Sequence, residues 1–75
     1  MLTISELLVT NRKKLGYTLK DIAHKTNLSI VTISKYEKGW ILPKVENLYK
    51  LSQVYEFNFE EACELLAKEK EGRKK

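Results

Sequence analysis

The chain has 75 residues, 43% of them hydrophobic, and a formal net charge of +4 at pH 7. That is enough for one small domain with a single core, and too little for a second domain or for a substrate cleft with walls of its own. No run approaches the roughly 18 uninterrupted apolar residues of a membrane span, and no basic segment followed by an apolar run marks a leader, so a cytoplasmic location and no membrane partner are expected.

No apolar and polar alternation runs long enough for a strand, which makes the expected fold class all-α. Thr3 stands three residues before Glu6, the spacing of a capping box, and Ile4, Leu7, Leu8 and Leu15 recur at helical intervals until Gly16 ends helix 1. Thr18 and Asp21 come close to a second capping box, opening helix 2 at about Leu19 to Lys25. Ala23 suits a steep helix crossing, and Asn27 suits a turn residue that must tolerate left-handed φ/ψ. Ser29 is a good N-cap for helix 3, about Ile30 to Lys38, whose apolar side is Leu28, Ile33 and Tyr36 and whose stop is Gly39.

Pro43 closes the loop WILP and fits the first turn of helix 4 or the residue before it. Lys44 occupies the place of a capping Ser or Asp, a weak start, while Val45, Leu48, Leu51 and either Val54 or Tyr55 supply an apolar face. Asn58 caps helix 5, with Glu60 and Glu61 in the first turn where the dipole favours them. Phe59, Ala62, Cys63, Leu65 and Leu66 make helix 5 apolar on more than one side. Lys68 to Lys75, KEKEGRKK, has no apolar residue and is expected to be a charged flexible tail beyond a folded domain of residues 1–67.

Charge is unevenly distributed. From Leu7 to Gln53 there are nine basic residues (Arg12, Lys13, Lys14, Lys20, Lys25, Lys35, Lys38, Lys44, Lys50) against three acids (Asp21, Glu37, Glu46), whereas Val54 to Ala67 carries Glu56, Glu60, Glu61 and Glu64 and no base. One end of the domain attracts phosphates and the other repels them.

The two short helices on either side of Asn27, from Leu19 to Lys38, form a helix-turn-helix, which points to DNA. The string YTLKDIAHKTNLSIVTISKYEKG, followed by Pro43, Leu48 and Leu51, resembles the Cro/repressor-type helix-turn-helix family, the xenobiotic-response-element regulators. The likeness covers about Leu7 to Leu66 and matches at Thr18, Ile22, Ala23, Leu28, Ser29, Thr32, Ile33, Ser34, Glu37, Gly39 and Pro43. The resemblance implies a compact five-helix domain whose helix 3 enters the major groove, and a transcriptional regulator, expected to be a repressor, of a bacterium, phage or mobile element. It also implies a double-stranded operator as partner and a homodimer, for which helix 5 offers Phe59, Leu65 and Leu66.

On that resemblance the base contacts fall to Ile30, Val31, Ser34 and Lys35. Lys35 suits guanine O6 and N7, while Ile30 and Val31 can meet only thymine methyls or pack against a partner or the domain's own tail. Phosphate contacts fall to Thr18, Lys20, Ser29, Thr32, Lys38, Trp40 and Lys44, with Leu19 standing where the family often has a phosphate-binding glutamine. The indole of Trp40 can donate to a phosphate or pack half-buried on helix 4. The resemblance further implies a structural ion pair between Arg12 and Glu37; failing that, Arg12 is one more phosphate-facing cation.

Two other classes compete. A protein-interaction module, such as an antitoxin or adaptor with the same fold, is kept open by Ile30, Val31, Trp40, Ile41 and Leu42, and the chain also fits the DNA-binding part of a larger regulator. An enzyme is not expected. His24 has no nucleophile or paired carboxylate at catalytic spacing, and Glu60, Glu61 and Glu64 are ordinary first-turn residues. Cys63, the single cysteine, is expected to be a small buried hydrophobe; no metal, cofactor or small-molecule site is evident.

Overall fold

The computed structural model describes residues 2–73 and folds them into α1 (Ile4–Leu15), α2 (Leu19–Thr26), α3 (Ile30–Lys38), α4 (Val45–Tyr55) and α5 (Phe59–Arg73). Local chemistry fixes most of the helix ends. At α1 and α2 the capping is reciprocal: Glu6 N–H donates to Thr3 Oγ1 while Thr3 N–H donates to Glu6 Oε1, and Asp21 and Thr18 do the same. Ser29 Oγ and Asn58 Oδ1 accept from the amides of Thr32 and Glu61 at the starts of α3 and α5. Lys44 caps α4 without a side-chain hydrogen bond, and Pro43 lies buried just before it, outside the helix.

Four of the helices end in left-handed residues. Gly16 (φ 77°) and Gly39 (φ 75°) close α1 and α3, Asn27 (φ 61°) closes α2, and Glu56 (φ 59°) closes α4. A glutamate has no local reason to choose that region, so Glu56 is a strained stop that the sequence does not announce.

The core takes Ile4 and Leu8 from α1, Ile22 from α2, Ile33 and Tyr36 from α3, Leu48, Leu51 and Tyr55 from α4, and Ala62 and Leu66 from α5. Burying each large aliphatic side chain contributes about 1.5 to 3 kcal/mol. α1 is the hub, packing on α3, α4 and α5, while α2 packs on α3 and α4. α3 is therefore backed by α1 and α2, and its opposite side is exposed at Ile30, Val31, Lys35 and Lys38.

Several expectations are corrected. Val45, at the first position of α4, is 51% exposed; the inward face is Leu48, Leu51 and Tyr55, with Val54 half-buried. Cys63 is half-buried, not fully inside. Leu66 is 3% exposed and so already used by its own core, leaving little for a partner, while Phe59 and Leu65 are half-buried. The segment after Ala67 is helical as far as Arg73, held by two long-range hydrogen bonds that composition does not reveal; Lys74 and Lys75 of the expected tail lie outside the described residues.

The open helix is fixed at its C-terminal end by one buried carboxylate. Glu37, with a side chain 6% exposed, accepts from Arg12 Nε at 3.0 and 2.8 Å and from the Tyr55 hydroxyl at 2.7 Å. Arg12 Nη1 also donates to the Tyr17 carbonyl at 3.1 Å, and Ser5 Oγ donates to the Glu37 carbonyl. One side chain of α3 thereby joins α1, α4 and the link into α2. An unpaired carboxylate at this depth would cost several kcal/mol, so its partners are a condition of the fold. The hydrogen bond to Glu37 raises the already high pKa of Arg12, and burial, with the same carboxylate, pushes Tyr55 up from its usual value. Among the described residues no buried side-chain nitrogen or oxygen lacks a partner.

Glu56→Gly should raise the unfolding free energy by about 0.5 to 1 kcal/mol and Gly39→Ala should lower it by about 1 kcal/mol, since both positions have the left-handed backbone; denaturant melts measure each. In the unfolded chain tyrosine ionises near pH 10, whereas folded Tyr55 keeps its proton, so the stability this contributes is full below about pH 10 and lost as pH rises above it. Tyr55→Phe should be less stable than wild type at pH 7 by about 1 to 2 kcal/mol, and the gap should narrow above pH 10 in melts at stepped pH.

Candidate nucleic-acid interface

The outward face of α3 is a single stripe. Ile30, Val31, Ser34, Lys35 and Lys38 follow one another at helical spacing, opposite the buried Ile33, Tyr36 and Glu37. Ile30 and Val31 are 44% and 61% exposed, so the described residues, those of the expected tail up to Arg73 included, bury neither. Lys35 and Lys38 are exposed and Ser34 is half-buried. This edge offers two cations, Lys35 within it and Lys38 at its end, with one small hydroxyl and two apolar side chains, to whatever lies against it.

Around the stripe stand groups suited to phosphate. Ser29 Oγ accepts from the Thr32 amide at 3.1 Å and donates to Thr32 Oγ1 at 2.9 Å, so these two hydroxyls brace the start of α3. Thr18 Oγ1 accepts from the Asp21 amide at 3.1 Å. The Thr18 amide and hydroxyl, both bonded to Asp21, lower the pKa of that carboxyl. The positive end of α2 therefore already carries a counter-charge. Lys20 and Lys44 are exposed, whereas Leu19 is half-buried against the core, anchoring the start of α2 by packing where a glutamine would reach outward.

Trp40, 64% exposed, follows the C-cap of α3, and the Lys38 ammonium sits 4.6 Å from the centre of its ring. The pair places a cation and an indole N–H side by side at the end of the stripe. Lys25 sits in the same way 5.0 Å from the Tyr17 ring, and His24 is exposed near the end of α2. The acids Glu60, Glu61 and Glu64 are exposed on α5, which packs on α1 and α4 and not on α3. These acids thus sit on an element whose one hydrogen bond to the end of α3 is made by Arg73, a cation.

Arg12 and Glu37 are brought together; the candidate DNA contacts fall at the start of α2, along α3 and its N-cap, and in the loop from Gly39 to Lys44. Sequence reasoning missed the third member of the buried node, Tyr55, because spacing allowed either Val54 or Tyr55 to point inward. It also missed Asn47, whose amide donates to the Tyr36 hydroxyl at 3.0 Å and ties α4 to α3. Ser5 and Arg73, which hold backbone carbonyls at the end of α3, carry no sequence signal for that role. An open groove of about 350 Å³, lined by Lys25, Thr26, Asn27, Tyr49, Lys50, Gln53 and Val54, lies between α2 and α4, away from the stripe. Among the described residues no cluster of His, Cys, Asp or Glu is arranged to hold a metal ion, and no helix is long and apolar enough to cross a membrane.

The helix-turn-helix family model matches residues 10–61, which takes in the second half of α1, all of α2, α3 and α4, and the start of α5. Over 60 residues the chain is 35% identical to the cryptic phage CTXphi transcriptional repressor RstR of Vibrio cholerae serotype O1, an overlap of 80% of this chain and 54% of that protein. Over 54 residues it is 35% identical to the HTH-type transcriptional regulator ImmR of Bacillus subtilis, an overlap of 72% of this chain and 42% of that protein. The chain spans about half the length of the curated relatives it matches. With its capped α2, left-handed Asn27 turn and outward α3, it belongs to the helix-turn-helix family of the xenobiotic-response-element type.

Proposed function

We propose that the protein is a sequence-specific DNA-binding transcriptional regulator that represses by occupying its operator, in the cytoplasm and without a cofactor. The observation that carries this reading is the open stripe of α3, held from behind at Glu37 and flanked by exposed cations. In this reading α3 enters the major groove with Ile30, Val31, Ser34 and Lys35 against base edges. Thr18, Lys20, Ser29, Thr32, Lys38, Trp40 and Lys44 grip the phosphates on either side. Lys35 donates to guanine O6 or N7, and the apolar pair touches pyrimidine methyls, a weaker discriminator. Binding, not bond-making, is the activity.

Two copies on a two-fold operator fit this reading. Its support is the half-buried Phe59 and Leu65, with the exposed Tyr49 ring edge-on to Phe59 at 5.4 Å.

A titration against salt tests the proposal. Affinity for operator DNA should fall with a log–log slope of about −0.9 for each phosphate neutralised; a flat response, or no binding to any duplex, would contradict it. DNA selected from a random pool supplies the operator. On it, Lys35→Ala should cost about 1 to 3 kcal/mol of discrimination at one base pair, while Lys38→Ala should weaken all duplexes alike and shrink the slope by about 1. Equal losses on every duplex for both variants would make Lys35 a phosphate contact only.

A further inference from the structure

The last turns of α5 should not be helical on local grounds. Lys68 to Arg73 contains no apolar residue and includes Gly72, a residue type that disfavours a helix interior. What holds it are two hydrogen bonds made one helical turn apart. Glu69 Oε2 accepts from the amide of Ile4, the first residue of α1, at 2.6 Å, and Arg73 Nη2 donates to the carbonyl of Gly39, the C-cap of α3, at 2.7 Å. The first places a carboxylate on the orphan amides at the positive end of one helix. The second places a guanidinium on the orphan carbonyls at the negative end of another. Glu69 and Arg73 are four residues apart and so share one face of α5.

Both attachment points bear on the same place. The start of α1 supplies Ser5, which bonds the Glu37 carbonyl and lies 3.6 Å from where a Cβ on Gly39 would stand. Gly39 itself joins the end of α3 to Trp40, whose amide bonds back to the Lys35 carbonyl at 3.0 Å. We propose that Glu69 and Arg73 are positioning residues: they form a clasp by which the C-terminal helix sets the Lys38–Trp40 end of α3. Through it α5 governs DNA affinity without touching DNA. The effect on affinity rests on the DNA-binding reading above; the effect on Trp40 does not. The clasp also means that whatever displaces the last turn of α5 loosens the Trp40 loop.

Trp40 is the only tryptophan, so its fluorescence and the exchange rate of its amide report on the clasp in the DNA-free protein. Arg73→Ala and Glu69→Gln should each speed exchange at the Trp40 amide and alter its emission, with the far-ultraviolet circular dichroism of the core helices kept. Each should also weaken DNA binding by about threefold to tenfold, the effect of losing one charge-assisted hydrogen bond, with the salt slope unchanged. Arg73→Lys, which keeps the charge but not the fork, should leave the Trp40 signals disturbed. Unchanged Trp40 exchange and emission in both variants would overturn the clasp. So would an Arg73→Ala variant with unchanged Trp40 signals and a slope smaller by about 1, which would make Arg73 a phosphate contact. If the wild-type chain bound no duplex, the functional reading would fail while the Trp40 measurements still decided the clasp.

Discussion

A buried carboxylate at the end of the outward helix is the constraint on which the rest of the molecule depends. Glu37 could be excluded from water only if other elements came to it, and two do: α1, with Arg12 on the carboxylate and the Ser5 hydroxyl on the backbone carbonyl, and α4, with Tyr55. Hydrophobic burial alone is non-directional, and a core of leucines and isoleucines would tolerate small rotations of α3. A carboxylate shared between a guanidinium and a phenol does not, because both donors must be within about 3 Å at once. The node therefore converts loose packing into a fixed pose.

A fixed pose matters here because α3 is otherwise poorly restrained. Its backbone lies against α1 and α2, with α4 reaching it only through the Tyr55 and Asn47 side chains, and its opposite side must stay empty if it is to enter a groove. The cost of that openness is offset at the helix ends: Ser29 and Thr32 brace the start, Glu37 and Gly39 tie down the finish. The stripe between them can then afford side chains with little structural duty. Ile30 and Val31 are exposed where burial would have been the cheaper choice, which is the sign of a surface kept for a partner.

Much of this was legible in the chain because the signals are local. Thr3 with Glu6, Thr18 with Asp21, Ser29 and Asn58 each announce a helix start through a hydrogen bond spanning three residues, and Gly16, Asn27 and Gly39 announce stops. The helix-turn-helix followed from these, and the pairing of Arg12 with Glu37 from the family resemblance. What escaped was long-range or contextual. Val54 and Tyr55 are equally spaced candidates for the inside of α4, and only the distant need of Glu37 for a donor distinguishes them. The last turns of α5 look like a tail until Ile4 and Gly39, 65 and 34 residues away, are seen to supply their partners. Glu56 adopts a glycine's backbone for reasons of chain path that no neighbour encodes.

The most direct test of the Glu37 node is a double-mutant cycle on unfolding free energy with wild type, Arg12→Ala, Glu37→Gln and the double variant. If the pair is the constraint described, each single change leaves a buried group without its partner, and the coupling should be about 2 kcal/mol or more. A coupling below about 0.5 kcal/mol, the range of an exposed ion pair, would contradict it.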